Sequence, residues 1–145
     1  MCLSVCAQSF ALKDRDVAVA VDAKGCLTSL KNVRTGHEYA SGKPLWRLYF
    51  DRKDGEKEIP VLGAENAPAV SQEGGRIVLR YGSLTSRGAA LKMRLTLTVR
   101  IEDGLVRFGS EVANDEPHTV IRELHYPLVG GCQLEIGRAS CRERV

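Results

Sequence analysis

No apolar run in this sequence approaches the roughly 18 residues of a membrane-spanning helix, so no segment reads as one. It has no Gly-x-Gly-x-x-Gly, no Walker loop, no Gly-x-Ser-x-Gly and no His-Glu-x-x-His, so nothing in its motifs points to nucleotide binding, serine-elbow acyl transfer or zinc peptidase chemistry. Histidine is scarce, with His37, His118 and His125 only, and no Cys-x-x-Cys occurs. No metal site and no cofactor are expected. The formal net charge is +3, yet there is no basic run and none interleaved with aromatic residues. A nucleic-acid footprint needs a clustered basic face, so no nucleic-acid partner is expected.

Much of the charge excess sits at one end. Residues Ile136 to Val145 hold Arg138, Arg142 and Arg144 against Glu143. Removing those four from the chain's 21 basic and 18 acidic residues leaves 18 against 17. Strand alternation stops there, and Gly-Arg-Ala-Ser-Cys-Arg-Glu-Arg-Val resembles a vector- or adapter-derived tail, so residues 136–145 are expected to be non-native. At the other end Met1-Cys2-Leu3-Ser4-Val5-Cys6-Ala7 is apolar and uncharged, and Val5-x-Ala7 has the small-x-small form of a secretory cleavage site. Residues 1–8 read as the remnant of a signal peptide. The alternatives are a lipid anchor on Cys6 and a short apolar strand. Of five cysteines this leaves Cys26 and Cys132, an even pair that a secreted or periplasmic protein could join or keep as buried thiols.

What is present is alternation. In Leu91-Lys92-Met93-Arg94-Leu95-Thr96-Leu97-Thr98-Val99-Arg100-Ile101, six apolar residues occupy every second position. Side chains on a strand alternate faces, so this is one long strand with an apolar side and a wet side. It implies an antiparallel sheet packed on one face.

The rest of the chain follows in short strands. Val17, Val19 and Val21 alternate with alanine, Asp22-Ala23-Lys24-Gly25 turns, and Cys26 to Leu30 returns as a hairpin partner. Pro44 to Asp51 is rich in aromatic residues, with Trp46, Leu48 and Phe50 sharing one face. Asp54-Gly55 turns it into Lys57 to Leu62, where Pro60 marks an edge strand. Residues 63–75 read as loop or a poor strand, 76–81 as a strand, and 82–88 as a polar connection. Glu102-Asp103-Gly104 turns the long strand into Leu105 to Val112, and Thr119 to Tyr126 is the last strand. About eight to ten strands at ~8–12-residue spacing with no helix predict an all-β, antiparallel two-layer β-sandwich over residues 9–135.

Two segments carry a resemblance. One is Val19 to Tyr39, a strand and glycine turn followed by Leu27-x-Ser29-Leu30-x-Asn32 and Thr35-Gly36-x-Glu38-Tyr39. The other is Val112-Ala113-Asn114-Asp115 with Ile121-Arg122-Glu123-Leu124-His125-Tyr126-Pro127 through Gly131. Together they resemble the N-terminal galactose-mutarotase-like (supersandwich) β-sandwich of bacterial glycoside hydrolases and other polysaccharide-acting enzymes. The resemblance covers roughly residues 12–131. It implies an accessory domain of an exported enzyme, with the catalytic carboxylates in a domain that follows, and its partners are then that catalytic domain and a polysaccharide or oligosaccharide.

No catalytic residue is assigned within the chain. Glu111 and Glu123 are expected on neighbouring strands, where two carboxylates could flank a sugar or simply pair with Arg107 and Arg122. His125 and Glu123, two apart on one strand, share a face and form the only general acid–base pairing of interest, for an aldose-epimerase-like reaction. Trp46, Tyr49, Tyr126 and Tyr39 could stack on sugar rings, or could belong to the core. The candidate carbohydrate-binding set is therefore Trp46, Tyr49, Tyr126, His125 and Glu123, for an accessory domain or an independent binding module.

Overall fold

The computed structural model describes residues 8–129. The leader remnant before Gln8, the tail over 136–145 and Cys132 lie outside these residues. In chain order the strands begin with β1 Ser9–Lys13, β2 Val17–Asp22, β3 Leu27–Asn32 and β4 Arg47–Arg52. Then come β5 Ile59–Leu62, β6 Ala69–Glu73, β7 Arg76–Tyr81 and the two-residue strands β8 Thr85–Ser86 and β9 Ala89–Ala90. The last three are β10 Met93–Glu102, β11 Leu105–Asn114 and β12 Thr119–His125. A single 3₁₀ turn, Gly63–Glu65, is the helical element among them.

The alternating stretch becomes β10. Met93, Leu95, Leu97 and Val99 are fully buried, whereas Arg94 and Arg100 on the other parity are exposed. The strand is central, pairing antiparallel with β11 on one side and β7 on the other, in the order β11-β10-β7-β6. Register then carries the pattern sideways. Leu97 faces Leu79, Val99 faces Ile77 and Leu95 faces Tyr81, so the apolar rows of adjacent strands line up. The β10–β11 hairpin closes at Asp103 and Gly104, both at positive φ (52° and 74°), the turn geometry whose twist matches that of the strands.

β6 falls inside the stretch that reads as loop or poor strand. Its residues, Ala-Val-Ser-Gln-Glu, are only half-buried at best, because it is the edge of its sheet and needs one apolar partner row rather than two. β1 and the β8–β9 ribbon likewise lie where no strand is expected from the alternation.

Two further sheets complete the core. β1-β2-β3 lays β1 against β7, β10 and β6, and sends Val19, Val21 and Leu27 inward. β12-β4-β5 contributes Leu48, Phe50, Ile59 and Val61, with Pro60 on the edge strand as its missing N–H requires. Trp46, just ahead of β4, meets Tyr81 edge-on with ring centroids 5.1 Å apart. These side chains form one continuous cluster, and the fold is all-β, antiparallel and sandwich-like. Fully burying each large aliphatic side chain contributes about 1.5–3 kcal/mol. Gly25 lies close over this core: a Cβ there would stand 2.5 Å from the Tyr81 hydroxyl. Burial pushes the Tyr81 phenol up to about 12.

Beside the β2–β3 hairpin, Glu38 ties a loop to the sheet. Its carboxylate accepts from the Ser29 hydroxyl (2.5 Å) and from the Leu30 (2.6 Å) and Ala40 (3.0 Å) amides. Desolvation raises this carboxyl, but the three hydrogen bonds outweigh it and hold the group below its ordinary 4.5.

Two outcomes follow. Leu97→Ala lowers the free energy of unfolding by about 2–5 kcal/mol in urea titration; a loss below 1 kcal/mol would remove β10 from the centre of the core. A depressed carboxyl stabilises the fold above its unfolded value and loses that contribution as pH falls through the folded one. Thermal melts of Glu38→Gln therefore fall less steeply than wild type below about pH 4.5, and identical slopes would count against the hydrogen-bonded carboxylate.

Candidate functional site

The outward face of the β12-β4-β5 sheet gathers the polar chemistry of this half of the molecule. On β4, Leu48 and Phe50 point inward, which turns Arg47, Tyr49 and Asp51 outward. Across the ladder His125 is paired with Arg47, and Glu123 with Tyr49. A register shift between Ile121 and Glu123 inserts Arg122 as an extra residue opposite the same β4 position. Both Arg122 and Glu123 are exposed as a result, while Ile121 and Leu124 keep contact with the core.

Arg47, Tyr49, Glu58, Arg122, Glu123 and His125 line one open depression of about 540 Å³. His125 is its hinge point. Its Nε2 lies 2.7 Å from Glu123 Oε2, and an Arg47 Nη2 lies 3.5 Å from its Nδ1. With a carboxylate on one nitrogen and a guanidinium on the other, the tautomer that satisfies both carries its proton on Nε2 and donates it to Glu123. The imidazole stands edge-on to Tyr49, 5.7 Å between centroids, and the Arg47 guanidinium sits 6.0 Å from the Tyr49 ring. Arg47 Nε is buried and, among the described residues, has no hydrogen-bond partner.

Asp51 braces the rim. This carboxylate is 8% exposed, pairs with Arg122 Nε at 3.0 Å and accepts the Glu58 amide at 2.8 Å. Glu58 holds φ at 52°, a left-handed conformation that costs a side-chain-bearing residue about 1–2 kcal/mol. The Asp51 hydrogen bond helps to hold it there and so sets a second carboxylate beside the depression. A neighbouring hollow of about 470 Å³ shares Glu58 and Arg122 and continues past Lys53, Lys57 and Val120. The polar surface is therefore longer than one small ring.

Three of the five expected binding residues, Tyr49, Glu123 and His125, meet here. Trp46 and Tyr126 do not. Trp46 is 1% exposed and packs against Tyr81 in the core, so its indole has no free face for a sugar. Tyr126 is 7% exposed, donates its hydroxyl to the Thr98 carbonyl at 2.8 Å, and meets Phe108 edge-on; burial pushes its phenol well up. Tyr39 is half-buried beside His37. Glu111 and Glu123 are not on neighbouring strands: β11 pairs with β10, whereas β12 crosses to β4 in another sheet. Chain order suggested a hairpin, but β4 had an open edge that β12 closes. Arg47 and Glu58 were missed, and Arg122, expected only as an ion-pair partner for Glu111 or Glu123, pairs with Asp51 instead. Parity with Tyr49 would have found Arg47, whereas the bulge and the positive φ leave no signature in the residue pattern.

Among the described residues no group of three His, Cys, Asp or Glu side chains is placed to hold a metal ion. Cys26 is half-buried and has no disulfide partner among the described residues; desolvation raises its thiol. Comparison of the chain with protein-family models, curated proteins and solved structures finds no match in any of the three.

The bracing of Glu58 separates stability from site chemistry. Glu58→Gly relieves the left-handed strain and raises unfolding free energy by about 0.5–1 kcal/mol, although it removes a carboxylate from the depression. Asp51→Ala lowers it by about 1 kcal/mol by leaving the Glu58 amide without its acceptor, while the exposed Arg122 returns to solvent. Chemical denaturation of the pair checks both signs, and a destabilised Glu58→Gly would contradict the strain.

Proposed function

We propose that this domain is a non-catalytic saccharide-binding β-sandwich, serving an exported carbohydrate-active enzyme of the glycoside hydrolase kind and packing beside its catalytic domain. The observation that carries the binding role is the joint lining of one depression by Arg47, Tyr49, Glu58, Arg122, Glu123 and His125. A sugar offers hydroxyls that both donate and accept, together with an apolar C–H face. Guanidiniums supply donors, carboxylates supply acceptors, and the half-exposed Tyr49 ring supplies a surface for the C–H groups. The resemblance of Val19–Tyr39 and Ile121–Gly131 to the supersandwich domains of such enzymes supports the enzymatic setting; it is an argument by likeness.

The pairing of His125 with Glu123 favours binding over catalysis. An acid and a base acting on one sugar must reach different atoms of it, whereas these two groups are spent on each other at 2.7 Å on an open face.

Affinity electrophoresis of the purified chain against a panel of soluble glycans tests this. At least one glycan retards the wild type, and Tyr49→Ala or Glu123→Gln weakens that binding by about tenfold, the scale of one or two lost contacts. Equal binding by the variants would move the site elsewhere. Acceleration of sugar anomerisation that Glu123→Gln abolishes would replace the binding role with an enzymatic one.

A further inference from the structure

We propose that the outward face of the β11-β10-β7-β6 sheet is a second, separate site, which binds an anionic glycan through a row of arginines. Arg100 on β10 stands directly opposite Arg76 on β7 and directly opposite Arg107 on β11. Neighbouring strands are about 4.7–4.9 Å apart, and like charges placed opposite each other destabilise a sheet. The row is poorly compensated from within. Glu102 Oε2 serves two of its members, lying 3.1 Å from Arg100 Nη2 and 3.4 Å from Arg107 Nε. Glu73 is engaged by Arg80 through both carboxylate oxygens, at 3.0 and 3.2 Å. Glu73 stands opposite Arg76 across the ladder, yet among the described residues Arg76 has no ion pair within 4.0 Å, so four guanidiniums, Arg76, Arg80, Arg100 and Arg107, stand against the two carboxylates of Glu73 and Glu102.

The ground beside the row is open. Arg76, Arg100, Glu73 and Glu102 border a depression of about 520 Å³ together with the Gly74-Gly75 turn, Glu73 being already engaged by Arg80. Both glycines have positive φ, and a side chain on either would meet nothing, so the turn leaves clear space above it. Guanidinium forks match the planar oxygens of carboxylate and the tetrahedral oxygens of sulfate, and an anion seated across the row relieves its repulsion.

The neighbours of the row select a glycan over a nucleic acid. Glu73, Glu102 and Glu111 lie on the same face by strand parity, and sugar hydroxyls can donate to them. The continuous phosphates of a duplex offer those carboxylates no hydrogen-bond donor, whereas the hydroxyls between a glycan's anionic groups do. Ser71, Thr96 and Thr98 add hydroxyls between the charges, and this parity carries no aromatic side chain on which a base could stack. The site does not rest on the role given to the β12-β4-β5 face.

The test is electrophoresis of the full chain in gels containing polygalacturonate, dextran sulfate, neutral dextran or duplex DNA. One or both anionic glycans retard the protein more than dextran or DNA does; retardation by polygalacturonate alone identifies carboxylate as the anion, and by dextran sulfate alone identifies sulfate. Arg100→Gln weakens that binding by about tenfold, whereas Arg87→Gln, at an exposed arginine that pairs with Glu56 outside both sites, leaves it unchanged. Without glycan, Arg100→Gln melts no lower than wild type, because it removes a cross-strand repulsion, so weaker binding is not unfolding. Absence of retardation by both anionic glycans overturns the proposal. So does equal or stronger retardation by DNA, or unchanged binding by Arg100→Gln.

Discussion

A β-strand cannot turn one side chain over without turning all of them, and this constraint acts most strongly at β10. Its inward row of Met93, Leu95, Leu97 and Val99 is wholly buried, so a slip of one residue would send Arg94 and Arg100 into the core in their place. Because β10 is hydrogen-bonded on both edges, its phase is imposed on β7 and β11 through their registers. The outward arginines are thus consequences of the inward leucines. The same logic orders the other side of the molecule, where Leu48 and Phe50 fix the outward direction of Arg47, Tyr49 and Asp51.

Where alternation is strong, the residues alone were enough to read the strand. The β10–β11 hairpin, the β2–β3 hairpin, β4 with its apolar face and the edge position of Pro60 all follow from parity and turn residues. β6 and β1 were harder because edge strands bury less, and Ala69 to Glu73 offers few apolar residues to alternate. Partner choice was harder still. Nothing in Asn114 to His118 distinguishes a hairpin turn from a crossover, and β12 goes to the free edge of β4 because its Ile121 and Leu124 then join the core. The candidate site shows the same division. The shared face of Glu123 and His125 was legible from a spacing of two, but the arrival of Glu58 depends on a left-handed backbone and a bond from Asp51, which are long-range effects. Trp46 and Tyr126 were placed on the candidate list by residue type, and packing claimed both.

Charge in this protein is sorted by face rather than by segment. Along the sequence, acids and bases are mixed, and the chain between its ends is close to neutral. Folding separates them into two arrangements of different character. On the β12-β4-β5 face acids sit against donors, with Glu123 on His125 and Asp51 on Arg122, and among the described residues a buried Arg47 Nε has no acceptor. On the four-stranded face arginines meet arginines across the ladder. A linear charge count cannot see this difference, since it arises only when strands are set side by side in a particular register.

The bulge in β12 gives that strand a spare link. Apart from a similar extra residue at Thr28 in β3, losing one residue elsewhere in the sandwich would put everything beyond it out of phase and turn a core face outward. At Arg122 the opposite holds, because the residues on either side already keep step with β4, as Ile121 does with Phe50 and Leu124 with Leu48. Shortening the chain by that one residue would restore an ordinary ladder while erasing a cation from the depression. Length variation, which the core forbids along regularly paired strands, is available here at a place where it would retune what the surface recognises.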